Sequence, residues 1–271
     1  MIIEQRPTAF SQNSFEKLCK IHQNEEKFTF FQVYNPNAKT EISDMASLPG
    51  HLDNLTRFIQ ISNNELFFVG SKTFLNRGSG IIDLANQTII RSFPSLREYF
   101  FSFGLIYWDQ CIYVFGRSKN RQSASYAEKI DFAENRWTKL ATLPVGIINC
   151  SCAFFRHSII IAGWGKDSIY QYNIDLDSYS EILGIVHPYG KLIFVAESRV
   201  YVIETKGNII ESGIEDEYSW KIIGKSPLTV SFQILWISYK ESIYISGYSK
   251  YGTDIPIYRF DINRRQLSII K

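Results

Sequence analysis

The stretch that decides the fold is Cys111-Ile-Tyr-Val-Phe-Gly116, followed by Ile130-Asp131-Phe-Ala-Glu-Asn-Arg-Trp137 and then Leu143-Pro144. Its first six residues are an apolar, aromatic run that ends on glycine, which is typical of a buried strand. Asp131 is expected to start a turn through side-chain-to-backbone hydrogen bonds. Pro144 is expected where a strand no longer needs a ladder donor. The stretch therefore predicts short strands joined by tight turns.

The same unit recurs along the chain at intervals of about 45 residues, which is the period of propeller blades. Each copy has an apolar strand, a short polar turn and a second apolar strand. The turns lie at residues 63, 109, 156, 198 and 240, so successive copies are 46, 47, 42 and 42 residues apart. Five consecutive agreements indicate a repeat protein, and each unit predicts four short strands.

The second half of each unit carries an Asp or Asn with a bulky apolar residue six positions later, and often a proline after that. The pairs are Asp83 with Ile89, Asp131 with Trp137, Asn173 with Tyr179, and Asp261 with Leu267. The proline pairs are Leu48-Pro49, Phe93-Pro94, Leu143-Pro144 and Ser226-Pro227. The N-terminal segment fits the unit loosely, which brings the predicted total to six repeats.

These motifs resemble the kelch repeat, whose second strand ends in a Gly-Gly pair and whose third and fourth strands carry a Tyr-Asp-like start and a Trp. This chain keeps one glycine of the pair, and Glu204-Thr205 replaces it in the fifth repeat. Gly-His and Trp-Asp pairs do not recur with the repeats as in WD40, since Gly50-His51 and Trp108-Asp109 occur once each. The resemblance implies an all-β protein, a six-bladed β-propeller of four-stranded antiparallel blades. The single domain would span 1–271, with blades at about 1–50, 51–95, 96–145, 146–187, 188–227 and 228–271.

Composition agrees with a β-rich core and limits the classes of partner. The chain has 20 Phe, 16 Tyr and 5 Trp, and 29 basic residues against 27 acidic ones. The near-neutral charge balance lacks the excess of basic residues that is typical of nucleic-acid-binding proteins. No apolar run reaches the roughly 18 residues that span a bilayer. The first ten residues lack the apolar stretch of a signal peptide. We therefore expect a cytoplasmic protein without nucleic-acid or membrane partners.

The residues that commonly carry catalysis do not converge in the sequence pattern. His157 lies in a turn within a blade and His187 in a turn between blades, so the two imidazoles are expected on opposite faces. Cys150 and Cys152 have no second pair and no nearby His to complete a zinc site, so buried free thiols are predicted. No nucleophile elbow or phosphate loop appears. We therefore expect no metal, no cofactor and no catalytic residue.

The connections after the second strand of each predicted blade are rich in cations. These connections and those between blades are expected on one face. In kelch propellers that bind acidic peptides this face carries the binding arginines, so the resemblance points to Arg117 and Arg121 first. The candidate partner-binding residues are Lys72, Arg77, Arg97, Arg117, Lys119, Arg121, Lys166, Tyr189, Lys206, Lys250 and Tyr251.

The first hypothesis is a non-enzymatic protein-interaction module or scaffold that binds a partner, with an acidic segment as the expected ligand. The alternative is a propeller enzyme that acts on a sugar or another small molecule at the mouth of the central channel, which rests on fold analogy alone. A cytoskeletal partner stays open as a third alternative, since no residue selects one.

Overall fold

The computed structural model describes residues 18–23, 28–37, 40–42, 47–49, 56–69, 78–86, 88–97, 100–118, 125–164, 169–182, 190–197, 199–204, 207–213, 219–227, 234–249 and 256–270. The secondary structure of these residues consists of β-strands and turns. The all-β prediction is confirmed, and the assignment of residues 1–271 to a single domain stays a prediction.

The strands fall into an N-terminal sheet and five blades. The N-terminal sheet holds β1 (Leu18–Gln23), β2 (Phe28–Asn35), β3 (Thr40–Ile42) and β4 (Ser47–Pro49). Blade I holds β5 (Arg57–Gln60), β6 (Glu65–Val69), β7 (Ser79–Asp83) and β8 (Thr88–Phe93). Blade II holds β9 (Phe100–Trp108), β10 (Cys111–Ser118), β11 (Ser125–Asp131) and β12 (Arg136–Lys139).

Blades III to V repeat the same order. Blade III holds β13 (Ile148–Phe155), β14 (Ser158–Trp164), β15 (Ile169–Asn173) and β16 (Ser178–Ile182). Blade IV holds β17 (Gly190–Ala196), β18 (Arg199–Glu204), β19 (Asn208–Gly213) and β20 (Ser219–Lys225). Blade V holds β21 (Ile234–Tyr239), β22 (Ser242–Ser249), β23 (Ile257–Asp261) and β24 (Gln266–Ile269).

Each blade is a four-stranded antiparallel meander, and the first strand of each blade is innermost. The first strands contact one another across blades, β5 with β9, β9 with β13, and β13 with β17. Strand β21 contacts β5, so the last blade returns to the first. This radial arrangement is a β-propeller.

The prediction of six blades is wrong, because the described residues form five four-stranded blades. Strands β3 and β4 have three residues each and both pair with the same edge of β2. Strand β1 pairs in parallel with β22 of blade V, with Ile21 opposite Tyr248 and His22 opposite Ser249. The N-terminal strands therefore extend the sheet of blade V. Their sequence keeps Asn35, whose Oδ1 accepts from the Asn37 N–H at 2.9 Å, but six positions later it has Glu41 in place of a bulky apolar residue.

The core lies between blades, because each sheet is apolar on both faces. At the seam of blades I and II, the rings of Phe67 and Phe93 pack on Phe132 with centroid distances of 5.8 and 5.1 Å. At the seam of blades II and III, Trp108 stacks on Phe154. Burying each such ring contributes roughly 1.5–3 kcal/mol. The near-continuous apolar strands of the sequence are therefore covered on both sides.

The repeated Asp or Asn caps the turn between the third and fourth strands. Asp131 Oδ1 accepts a 2.7 Å hydrogen bond from the backbone N–H of Ala133. Asp83 bonds to Ala85 at 2.8 Å, Asn173 to Leu176 at 3.0 Å, and Asp261 to Arg264 at 2.9 Å in the same way. The predicted turn role of this position is confirmed, and the cap fixes where each fourth strand starts.

The meander order defines two faces of the ring. We call turn face the side with the turns between the first and second and between the third and fourth strands. We call loop face the side with the second-to-third-strand connections and the blade-to-blade connections. Because neighbouring strands are antiparallel, these two kinds of connection leave opposite ends of each blade.

Candidate functional site on the loop face

Two of the predicted binding residues lie within the described part of the chain, and both belong to the loop-face end of blade II. Arg97 is exposed in the connection from β8 to β9, and its backbone N–H lies 3.4 Å from Glu128 Oε2. Arg117 is the next-to-last residue of β10, opposite Ser125 and Phe101. The other nine candidates lie outside the described residues: Lys72, Arg77, Lys119, Arg121, Lys166, Tyr189, Lys206, Lys250 and Tyr251.

The strand pairs that lead to this face lose their regular register at the same level in three consecutive blades. The shifts fall between Phe115 and Arg117 in blade II, and between Ile148 and Ser151 in blade III. In blade IV the shift falls between Gly190 and Leu192. A bulge bends its strand and re-aims the next side chain, and bulges are frequent beside functional sites. The loop-face ends of blades II to IV therefore depart from the regular pleat.

A buried carboxylate at this level of blade IV was missed as a functional candidate. Glu204 is the last residue of β18, and its Oε2 accepts a 2.5 Å hydrogen bond from Asn208 Nδ2. Asn208 Oδ1 in turn accepts a 2.5 Å hydrogen bond from Lys225 Nζ. The sequence did hold a signal, since Glu204 stands where the other second strands end on glycine. It was interpreted only as a departure from the repeat.

The seam between blades II and III holds a polar cluster that positions the blade II exit. The hydroxyl of Tyr179 donates to the carbonyl of Ala141 at 2.9 Å. Asp177 Oδ1 accepts from the Ala141 N–H at 2.8 Å and from the Tyr172 hydroxyl at 2.7 Å. Burial raises the pKa of both tyrosines above the usual range, so both hydroxyls stay donors. The cluster is structural and holds the connection that enters blade III.

An ion-pair cluster on the turn face links blades IV and V. The carboxylate of Glu211 is fully buried in β19 and contacts the guanidinium of Arg199, the first residue of β18. Its other oxygen lies 3.2 Å from Arg265 Nε, in the last turn of blade V. Burial, and next the charge of Glu211, raise the pKa of Tyr201 beside the cluster to about 12. Opposite charges thus join two blades where Gly213 replaces the capping Asp.

The cysteines have the properties of core residues. The Sγ atoms of Cys150 and Cys152 lie 3.7 Å apart, and both thiols are free and buried, as is Cys111. Burial raises the pKa of Cys111 to about 11 and that of Cys152 well above its usual value. Such thiols are protonated at neutral pH and are poor nucleophiles. The prediction of buried free thiols is confirmed for these three residues.

His157 is exposed in its turn, as predicted, while His187 lies outside the described residues. Where side chains are described, no three His, Cys, Asp or Glu residues gather closely enough to hold a metal ion. A search of the described residues for a helix long and apolar enough to cross a bilayer finds none.

The fold defines this chain as a β-propeller, and a solved structure has a similar fold. The chain superposes on the structure titled "Structure of YjhT" with a TM-score of 0.63, over 97% of this chain and 99% of that one. The identity is 10%, so the likeness shows the fold alone. No family model matches the sequence.

Curated relatives make the assignment more specific. Kelch-like protein 23 of Pongo abelii is 23% identical over 171 residues, which cover 58% of this chain and 30% of the relative. Kelch-like protein 23 of Homo sapiens is 21% identical over 165 residues, which cover 54% of this chain and 30% of the relative. The matches thus span less than a third of the relatives' length. This weak homology and the propeller fold together support a kelch-repeat propeller family for the chain.

Proposed function

We propose that this chain is a protein-interaction propeller whose loop face binds an acidic segment of a partner. The observation that carries the proposal is the division of charge between the two faces. The five second-to-third-strand connections, residues 70–78, 119–124, 165–168, 205–207 and 250–256, hold seven Lys or Arg and two Asp. The connections between blades add one charge of each sign, Arg97 and Glu98.

The turns of the opposite face have the reverse balance. The turn segments of the five blades contain four Lys or Arg and nine Asp or Glu, so the two sets of connections differ in sign. A ring of one sign raises the local concentration of ligands of the other sign and speeds their association. The net charge of +2 conceals this division.

Several carboxylates at the turn-face ends of the strands are engaged inside the protein. Asp131 and Asp261 accept backbone hydrogen bonds, and Glu211 is held by Arg199 and Arg265. Arg117 lies at the end of β10, beside the connection that contributes Lys119 and Arg121. Guanidinium groups bind carboxylates bidentately, which favours an acidic segment as the ligand. The kelch-like relatives support an interaction module in general.

The test is charge reversal on the loop face with a matched control on the turn face. Arg117→Glu combined with Arg121→Glu should weaken binding of fluorescein-labelled acidic peptides, measured by fluorescence anisotropy, by roughly tenfold or more. The control Arg136→Glu changes an exposed turn-face residue whose ion pair with Glu134 is solvated. Equal affinity in all three proteins would exclude the assigned face.

We further propose that the chain works without catalysing a reaction, as a scaffold, and that it acts in the cytoplasm. Four cysteines in 271 residues are not the dense disulfide framework of a secreted domain, which supports this compartment. Fractionation of cells that express the tagged chain tests the compartment. Recovery in a membrane or secreted fraction would contradict it.

A further inference from the structure

Glu204 breaks the repeat at the loop face. In the other four blades the residue at this point is Gly70, Gly116, Gly163 or Gly247. Blade IV alone among the five places a carboxylate there, at the end of β18. A substitution of glycine by a charged residue inside a packed repeat calls for a partner that satisfies the new group.

Only one of the two carboxylate oxygens has such a partner. The side chain of Glu204 is 1% exposed, and Oε2 accepts from Asn208 Nδ2. The Lys225 ammonium donates to the other end of the Asn208 amide, so that amide is oriented with its N–H groups toward Glu204. Within the described structure, Oε1 accepts no hydrogen bond. A buried carboxylate oxygen without a donor destabilises the fold, so retaining one points to a ligand.

The strand that faces Glu204 on the side toward the ring centre presents no side chain at this level. Directly opposite Glu204 on the innermost strand β17 is Gly190, which has no side chain. Residues directly opposite on antiparallel strands project to the same face of the sheet. The register shift between Gly190 and Leu192 follows at once. The carboxylate is thus flanked by Asn208 on one side and by a glycine on the other, the side toward the centre of the ring.

The connection above Glu204 is also the shortest of the five. Three residues, 205–207, separate β18 from β19, whereas nine separate β6 from β7. The Gly207 N–H donates to the Glu204 carbonyl at 2.9 Å and closes this connection as a turn. A connection must leave one strand end and return to the next, so its reach is about half its extended length of about 3.5 Å per residue. Three residues can therefore extend at most about 5 Å beyond the strand ends, and nine residues about 15 Å. Blade IV therefore has the least chain length between its second and third strands on the loop face.

We propose that Glu204 Oε1 receives a cationic N–H donor, the ammonium or guanidinium of a Lys or Arg on the docked partner segment. This inference rests on the proposed function and specifies its ligand. The docked segment carries carboxylates for the loop-face cations and one basic residue that enters beside Gly190. Glu204 is 1% exposed, so binding requires the loop-face end of β18 to open toward Gly190.

The test compares an acidic peptide that contains one Lys with the same peptide carrying norleucine at that position. The native chain should prefer the Lys peptide by roughly tenfold, as expected for one hydrogen bond between charged groups. Glu204→Gln keeps an acceptor for Asn208 and should bind both peptides equally. Its midpoint of urea unfolding should equal or exceed that of the native chain. The control Glu134→Gln, an exposed residue of the turn face, should keep the preference.

A second arm separates this inference from the proposed function. Nα-acetyl-arginine amide should raise the melting temperature of the native chain and leave that of Glu204→Gln unchanged, whether or not acidic peptides bind. If no acidic peptide binds but this difference persists, the proposed function fails and the inference stands. A preference for Lys that survives in Glu204→Gln would overturn the inference, as would equal thermal shifts in both proteins. A lower unfolding midpoint in Glu204→Gln would make Glu204 a structural residue.

Discussion

The indole Nε1 of Trp137 in blade II donates a 2.7 Å hydrogen bond to the carbonyl oxygen of Pro94, at the exit of blade I. Trp137 is the aromatic residue six positions after the capping Asp131, and Pro94 belongs to the Phe-Pro pair of the preceding repeat. Tyr179 makes the equivalent bond to Ala141 one blade later. The bulky residue six positions after the capping Asp or Asn is thus the donor of a link to the exit of the preceding blade in blades II and III.

Removing the donor of this link should destabilise the ring. Trp137→Phe keeps an aromatic ring in a site that is 2% exposed but deletes the N–H. The Pro94 carbonyl still accepts a 2.9 Å hydrogen bond from the Ser79 hydroxyl in this variant. The free energy of unfolding should therefore fall by only about 1–3 kcal/mol, which includes the effect of the smaller ring. Urea unfolding followed by tryptophan fluorescence measures it. Tyr179→Phe is the matched variant in blade III, and unchanged stability in both would contradict the link.

The Glu211 cluster should matter more than any exposed ion pair. Glu211→Gln leaves the partly exposed guanidiniums of Arg199 and Arg265 without their shared counter-charge, and about 1–3 kcal/mol of unfolding free energy should be lost. Glu134→Gln should change stability by less than about 0.5 kcal/mol, because its pair with Arg136 is solvated. Chemical denaturation of both variants provides the comparison. Equal effects would mean that the cluster does not join blades IV and V.

Gly104 should tolerate no side chain at the seam of blades II and III. A Cβ at this position would lie 2.8 Å from Cys152 Sγ and 2.9 Å from the Cys150 carbonyl oxygen. Gly104→Ala should therefore cost about 1–3 kcal/mol through overpacking. Adding Cys152→Ala removes the first contact but not the second, so recovery should be partial. Full recovery, or a neutral single variant, would show that the seam is looser than described.

Stability should fall between about pH 9 and 11. The pKa of Cys111 is raised to about 11 by burial, from a usual value of 9.0. In this range the unfolded chain releases the thiol proton while the folded chain keeps it, so ionisation favours unfolding as the pH rises. Cys111→Ala should show a shallower decline in melting temperature across this range. A decline of identical slope would assign the alkaline transition to other groups.

The fold was largely predictable because its signals are local. Asp131, Trp137 and the glycine-ended strand before them each specify a turn or a strand by their own chemistry. The N-terminal segment keeps the turn residue Asn35 but has Glu41 where four of the blades have a bulky apolar residue. Its short strands β3 and β4 pair with β2, and β1 pairs with blade V. Hence the prediction of six blades failed there. A blade count depends on pairing between distant segments, which no single motif records.

The candidate site was predictable only in its placement. The meander order places Arg97 and Arg117 at the loop-face end, as expected from the repeat alone. The unmet oxygen of Glu204 depends on Asn208 and Gly190, which join it through strand pairing. The link from Arg265 to Glu211 spans two blades. Contacts of this kind follow from packing and have no pattern in the sequence.

The most direct test of the loop-face account is to map where a bound acidic peptide lies. A peptide with a photoreactive residue beside its carboxylates, cross-linked to the native chain and located by mass spectrometry, should label residues 70–78, 119–124, 165–168, 205–207 and 250–256 or the strand ends next to them. Excess glutamate-rich competitor should abolish the labelling. Labelling confined to the turn segments 109–110, 132–135, 174–177 and 262–265 would contradict the account.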